Sequence, residues 1–343
     1  MIPAFLGLAG PTISRDEHAL FRATDPAGYI LFQRNCVDPD QLLALTDALR
    51  SLAGRDLPIL IDQEGGRVAR LRPPHWPEFP AAARFGALYD VAPLSAIEAA
   101  RLNGQLTGLM LHDAGITVDC LPLLDVRDAG GHDIIGDRSF GADPMRVAAL
   151  GRATLDGLRE GGVIGVVKHI PGHGRARVDS HLELPVVDAT LSDLARDFEP
   201  FRTLNDAPMA MTAHIVYTAL DPDRCATLSP IVIGATIRRD IGFDGLLMSD
   251  DLGMKALGVA GPMGNNAVGD FGARALTCLD AGCDIALHCS GDFAEMMAIV
   301  DAVPAITADA TARLNAAMLW ATTPREADIA ALAAQRDQLL AHG

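Results

Sequence analysis

The sequence predicts an α/β fold, a single (β/α)8 TIM-type barrel domain over residues 1–343 with a C-terminal helical tail. Three observations predict it. Short apolar, β-branched runs recur eight times, helical patterns lie between them, and polar clusters follow many of the runs rather than one.

The runs fall at residues 4–8, 29–32, 59–61, 117–121, 164–167, 210–213, 246–248 and 285–287, each ending in polar or Gly-rich residues. A parallel strand buried on both faces reads as such a continuous run, whereas a half-exposed strand alternates. Between the runs, helical periodicity marks residues 39–53, 92–114, 144–160, 191–204 and 269–281. An open doubly wound sheet would alternate in the same way. It would also carry a Gly-x-Gly-x-x-Gly turn after an early strand and gather its polar groups at one switch point. Neither feature is present. The longest connections, 63–88 and 253–268, carry Gly, Pro and Arg and read as active-site loops. From about Ala308 the chain is Ala/Leu-rich and reads as the closing helical tail. No Ser/Gly-rich linker, charge run or low-complexity stretch divides it.

Composition narrows the function classes. Of the residues, 49% are hydrophobic and 21% charged, as in an ordinary globular enzyme. Asp and Glu number 44 against 28 Lys and Arg, a net charge of −16 that repels polyphosphate and anionic lipid, so neither nucleic acid nor membrane is an expected partner. The opening Met1-Ile-Pro-Ala-Phe-Leu lacks a basic segment and a long apolar one, and no run approaches the ~20 residues that span a bilayer. Cys36, Cys120, Cys225, Cys278, Cys283 and Cys289 show no tight ligand spacing and read as reduced thiols. A cytoplasmic monomer is the expectation.

A (β/α)8 enzyme keeps its catalytic groups at the C-terminal ends of its strands. Those ends supply Asp62, Asp125, Lys168 with His169, His214, and Asp250 with Asp251. A carboxylate at Asp250 can attack an anomeric carbon and form a glycosyl ester, although one aspartate of the pair could equally cap the next helix. Lys168 and His169 can donate to sugar hydroxyls; Lys168 could instead be the Schiff-base lysine of an aldolase. In Asp179-Ser180-His181 a carboxylate two residues from an imidazole can fix its tautomer, making an acid/base dyad, or the triplet can be an ordinary turn. Asp62-Gln-Glu-Gly-Gly-Arg-Val-Ala-Arg70 can offer Asp62 and Arg67 or Arg70 to substrate oxygens, or form surface ion pairs about a Gly-Gly turn. Arg138 is a loop arginine open to either reading.

Together these motifs resemble the family-3 glycoside hydrolases, specifically the single-domain bacterial β-N-acetylhexosaminidases of peptidoglycan recycling. The combination of Asp-Gln-Glu-Gly-Gly-Arg, Lys-His-x-Pro-Gly-His-Gly, Asp-Ser-His and Ser-Asp-Asp carries the resemblance, which runs from Gly28 to Asp284. It implies a retaining double displacement on amino-sugar oligosaccharides or muropeptides, with Asp250 as nucleophile, His181 as acid/base and Asp179 as its partner. It further implies sugar binding by Asp62, Arg70, Arg138, Lys168 and His169, with no cofactor and no metal. One stretch departs from the pattern: Arg175-Ala-Arg-Val178 stands where many relatives carry acidic or small polar residues. A glycosyl phosphorylase and a non-catalytic sugar-binding barrel are the remaining alternatives. The aldolase reading leaves Asp250 and the Asp-Ser-His triplet without a role.

Overall fold

Eight parallel strands form where the apolar runs fall: β1 (Ile2–Gly7), β2 (Pro26–Leu31), β3 (Ile59–Ile61), β4 (Val118–Asp119), β5 (Ile164–Ile170), β6 (Met209–Thr212), β7 (Leu246–Asp251) and β8 (Ile285–His288). The structure is a computed structural model that describes residues 1–258, 268–324 and 326–342. Each strand pairs with its neighbour in sequence, and β8 closes on β1 with Ala4 opposite Ala286 and Phe5 opposite Leu287. The ring is a closed barrel, as expected.

Several strands differ from their runs by up to three residues, β2 starting at Pro26 and β7 running on to Asp251, and two of the differences bear on the site. β4 stops at Asp119 because Pro122, two residues beyond Cys120, has no N–H to give the ladder; pairing resumes where Leu123 meets Lys168. β5 runs on to Ile170, so Lys168 and His169 are strand residues rather than loop residues.

Inward-facing Phe5, Ile30, Leu60, Val118, Ile164, Met209, Leu246 and Ile285 fill the barrel. Leu314 and Ala317, from the tail helix α9 (Ala308–Met318), plug its lower end. A second apolar layer lies between the strands and the surrounding helices. Helices α2 (Pro39–Ala53) and α5 (Pro144–Glu160) have the bounds their periodicity predicts. Each starts at an Asp cap followed by Pro and ends at Gly, so the ends are written in the sequence. α4 (Pro93–Asp113) crosses α5 so closely that a Cβ on Gly157 would lie 2.1 Å from the Arg101 carbonyl oxygen. α6 (Leu191–Thr203) begins on a Thr190 capping box, and α7 (Phe271–Ala281) on Asp270.

Among the described residues, four helices of ten residues lie outside the expected set. α1 (Arg15–Thr24) starts on a Ser14–Glu17 capping box and buries Glu17, Leu20 and Phe21 at helical spacing, a signal that sequence reasoning missed. α3 (Ala82–Val91) corrects the expectation that 63–88 is loop throughout. α8 (Phe293–Ala302) follows β8, and a π-helical segment, Val232–Ile241, links β6 to β7. The tail is helical as expected, with α9 (Ala308–Met318) and α10 (Ile329–Leu340). Arg336 on α10 donates to Asn103 Oδ1 on α4 at 3.2 Å. Of the 253–268 connection, Lys255–Gly258 forms a short turn and residues 259–267 lie outside the described residues. Among the described residues no helix is long and apolar enough to cross a membrane.

Candidate active site

A cavity of about 270 Å³ opens at the C-terminal ends of the strands. Ile30, Met211 and Leu287 form its apolar floor, which is the top layer of the barrel core. Asp62, Arg70, Arg138, Lys168, His169, His181 and Asp250 all line it, so seven of the eight residues singled out by the sequence meet there. Asp179 stands directly behind His181.

One wall is a chain of alternating charges. Arg70 Nη2 donates to Asp62 Oδ2 at 2.8 Å, and Lys168 Nζ reaches Asp62 Oδ1 at 2.9 Å and Glu64 Oε1 at 2.7 Å. Arg138 grips Glu64 with two parallel bonds, Nε to Oε2 at 2.7 Å and Nη2 to Oε1 at 2.8 Å. Burial alone would push the Asp62 and Glu64 carboxyls up and Lys168 down. The mutual pairing outweighs burial in every case, holding Asp62 and Glu64 well ionised and Lys168 firmly protonated. The Arg70 guanidinium also lies 5.1 Å above the Phe32 ring. Gln63, facing inward, accepts the Arg70 and Leu71 N–H groups on its side-chain oxygen at 2.9 and 3.0 Å, which curls the loop that carries Arg70.

Glu64 is the functional residue that sequence reasoning missed. Beside two glycines an acidic residue reads as part of a surface turn, yet only 3% of its side chain is exposed. Its signal was the two-residue spacing from Asp62, which in extended backbone points both carboxylates the same way. Replacing it with Gln, which keeps the shape and removes the charge, strands Arg138 and half-strands Lys168. A loss of about 3 kcal/mol in stability is the expected outcome, with a raised KM, measured by thermal unfolding and steady-state kinetics.

On the next wall, the buried Asp125 carboxylate accepts the His169 N–H at 3.1 Å, the His169 Nδ1–H at 2.8 Å and the His173 N–H at 2.7 Å. With Nδ1 so engaged, His169 turns Nε2 toward the cavity. Asp125 itself does not line the cavity, contrary to the expectation that it converges on the mouth. His214 is displaced in the same way: it sits beneath the mouth, with Nδ1 2.7 Å from Thr227 Oγ1 and Nε2 3.0 Å from the Asp251 carbonyl oxygen. Both its nitrogens are occupied by structure.

The two aspartates at the end of β7 divide by environment. Asp251 Oδ1 accepts the Gly253 and Cys289 N–H groups at 2.9 and 3.2 Å, pinning the loop beyond the strand. Asp250 accepts the Asp251 N–H at 2.8 Å. Burial alone would raise the Asp250 pKa, but His214, His169 and that N–H bring it below the ordinary carboxylate value. Burial and the adjacent Asp250 raise Asp251. Asp250 is therefore the more readily ionised of the pair, and its carboxylate faces the cavity where a nucleophile could act.

Opposite stands the loop that joins β5 to α6, residues 171–190. Its Asp179 Oδ1 takes both the backbone N–H and the Nδ1–H of His181, at 2.9 and 2.8 Å. A carboxylate only accepts, so the imidazole proton is on Nδ1 and Nε2 is left to exchange a proton with a ligand. The His181 side chain is 60% exposed, within reach of both the cavity and bulk water. His173, the other imidazole here, is buried, with Nε2 3.2 Å from Ser180 Oγ. Burial and the neighbouring His169 push it down to about 4, which leaves it neutral near pH 7 and a weak candidate for proton transfer.

Residues 5–318 match the model described as the glycosyl hydrolase family 3 N terminal domain. A beta-hexosaminidase of Alkalilimnicola ehrlichii is 40% identical over 291 residues, covering 84% of this chain and 80% of its own. NagZ from Neisseria gonorrhoeae, solved in complex with N-trifluoroacetyl-D-glucosamine, superposes with a TM-score of 0.82 at 31% identity, over 99% of this chain and 97% of that one. A family 3 beta-N-acetylglucosaminidase from Paenibacillus gives a TM-score of 0.85 at 29% identity; this chain spans 98% of its own length and 66% of that one. A family match of this extent, together with relatives this similar across the whole barrel, places the chain in glycosyl hydrolase family 3, as a glycoside hydrolase.

Proposed function

We propose that the chain is a retaining β-N-acetylhexosaminidase that removes terminal β-linked N-acetylglucosamine, with peptidoglycan (muropeptide) fragments as its substrates. The observation that carries this reading is the convergence of an ionised aspartate, a His–Asp dyad and a chain of fixed donors on one small cavity. At about 270 Å³ it falls just under the ~300–1,000 Å³ usual for ligand pockets, a size for one terminal sugar and not for the interior of a polymer. The relatives named beta-hexosaminidase and beta-N-acetylglucosaminidase support an amino sugar in that place. The resemblance to peptidoglycan-recycling enzymes supports the aglycone.

The reaction proceeds in two displacements. Asp250 attacks the anomeric carbon while His181 Nε2 passes its proton to the glycosidic oxygen, and the aglycone leaves. Asp179 stabilises the imidazole through both steps. The neutral His181 then takes a proton from water, whose oxygen attacks the same carbon and releases Asp250. Asp62, Arg70, Arg138, Lys168 and His169 hold the sugar hydroxyls and acetamido group. The same reading takes the chain as one catalytic barrel, working as a monomer in the cytoplasm with neither metal nor cofactor.

An aryl β-N-acetylglucosaminide is expected to be cleaved at least about 100-fold faster than the matching β-glucoside, because losing the acetamido group leaves buried donors unpaired. Equal rates would overturn the substrate assignment. A phosphorylase remains the second reading, favoured by the exposure of His181, an acid/base that does not repel an anionic acceptor as a carboxylate would. Turnover that requires added phosphate, with a glycosyl phosphate as product, would establish it.

A further inference from the structure

The loop that carries the dyad is laid down at both ends. At its start, Tyr217 Oη donates to the Gly172 carbonyl oxygen at 2.7 Å, and His132 N–H to that of Ala176 at 2.7 Å. Gly174 crosses the Val126 carbonyl so closely that a Cβ would lie 1.8 Å from its oxygen. At its far end, Val186–Val187 pairs with Val216–Tyr217 as a two-stranded ribbon. Asp179, Ser180 and His181 stand on the span between. Ser180 ties that span to the rest of the protein, its carbonyl oxygen accepting the Ala256 N–H at 3.3 Å and its hydroxyl meeting His173, while Leu184 packs against the apolar core.

Arg175 sits where the anchored start gives way to the span. Its Nε donates to Asp197 Oδ2 at 2.6 Å, its Nη2 to the Asp193 carbonyl oxygen at 3.2 Å, and its Nη1 to Asp128 Oδ1 at 3.4 Å. Asp193 and Asp197 belong to α6, and Asp128 to the loop after β4. One guanidinium therefore fixes the strap against two separate elements at once, a use for which a planar fork is suited and a flexible ammonium is not. The Asp197 side chain is only 4% exposed, so the pair is largely shielded from water and salt. Arg175 does not line the cavity.

We infer that Arg175 is a positioning residue for the acid/base: by tying the strap to α6 and to the loop after β4, it sets where His181 stands opposite Asp250. The inference rests on the reading of His181 as acid/base. A proton donor displaced by about 1 Å can lose up to about 100-fold in rate. The loss falls on substrates that need the proton.

The test compares kcat/KM for phenyl and dinitrophenyl β-N-acetylglucosaminide in Arg175→Met, Arg175→Lys, Asp197→Asn and His181→Ala. Arg175→Met keeps the apolar stem and removes the fork. It is expected to lose about 10- to 100-fold on the phenyl substrate and much less on the dinitrophenyl one, whose leaving group departs without a proton. Asp197→Asn should show the same selectivity, and Arg175→Lys should recover part of the loss. Should Arg175→Met fold poorly, Asp197→Asn and Arg175→Lys carry the comparison. Equal losses on both substrates, while His181→Ala discriminates between them, would overturn the role of Arg175. If His181→Ala itself does not discriminate, it is the acid/base assignment that fails.

Discussion

Asp250→Ala is expected to lower turnover by about 10⁴–10⁶-fold, the scale on which removal of a covalent nucleophile acts. Thermal stability should change little, because the Asp250 carboxylate closes a local bond to the next N–H and takes no part in the chain of buried ion pairs. Asp251→Ala should behave in the opposite way. Its carboxylate ties Gly253 and Cys289 together, so its loss loosens the loop and lowers the unfolding temperature. A slow fluorosugar inactivator separates the two aspartates directly. It should leave its sugar esterified to Asp250 within the peptide that holds Ser249, Asp250 and Asp251. A label on Asp251, or on no carboxylate, would refute the assignment.

The dyad should show the second largest effect. General acid–base help is worth about 10²–10⁴-fold, and His181→Ala should lose that much on substrates with poor leaving groups. With a dinitrophenyl leaving group the first displacement needs no proton, so only the second step slows, and added azide should restore turnover by attacking the glycosyl ester without base assistance. Asp179→Ala should hurt the same substrates less: the ring remains, but the bonds that fix its tautomer and orientation are gone. Because the two residues act as one unit, the double variant should be little worse than His181→Ala. Losses that multiply would mean that Asp179 and His181 act separately.

The barrel was legible because burial on two faces leaves an unmistakable trace. All eight strands fall on apolar runs, and α2 and α5 announce their ends through Asp-Pro starts and Gly stops. The helices that escaped did so for different reasons. α1 carries a Ser14–Glu17 capping box and buried residues at helical spacing that sequence reasoning missed, whereas α3 is embedded in a connection rich in Pro and Arg. In the site, Asp62, Lys168, His169 and Asp250 could be placed from strand ends alone, since every parallel strand delivers its last residues to the same mouth. His214 obeys the same rule and still lies below the cavity, because Thr227 and the Asp251 carbonyl claim both ring nitrogens. Glu64 could not be assigned its partners locally; Arg138 reaches it from 74 residues away. Strand position tells where a side chain emerges, and only the assembled fold tells what it meets.

The alternating row Arg70–Asp62–Lys168–Glu64–Arg138 has a consequence for how freely this mouth can change over generations. At its ends, a lost arginine leaves a carboxylate that Lys168 still holds. In the middle the outcome differs in kind. Without Lys168, Asp62 and Glu64 keep only their outer arginines and repel each other across a low-dielectric wall with no cation between them. Tolerance to replacement therefore falls from the rim toward the centre of the row, and exchange of the central lysine is eased when a neighbouring acid changes with it. Divergence in this pocket is channelled to the termini of the row, where Arg70 rests on Phe32 and Arg138 reaches the Ile134 carbonyl, and single steps there adjust the fit to a new sugar without discharging the whole wall.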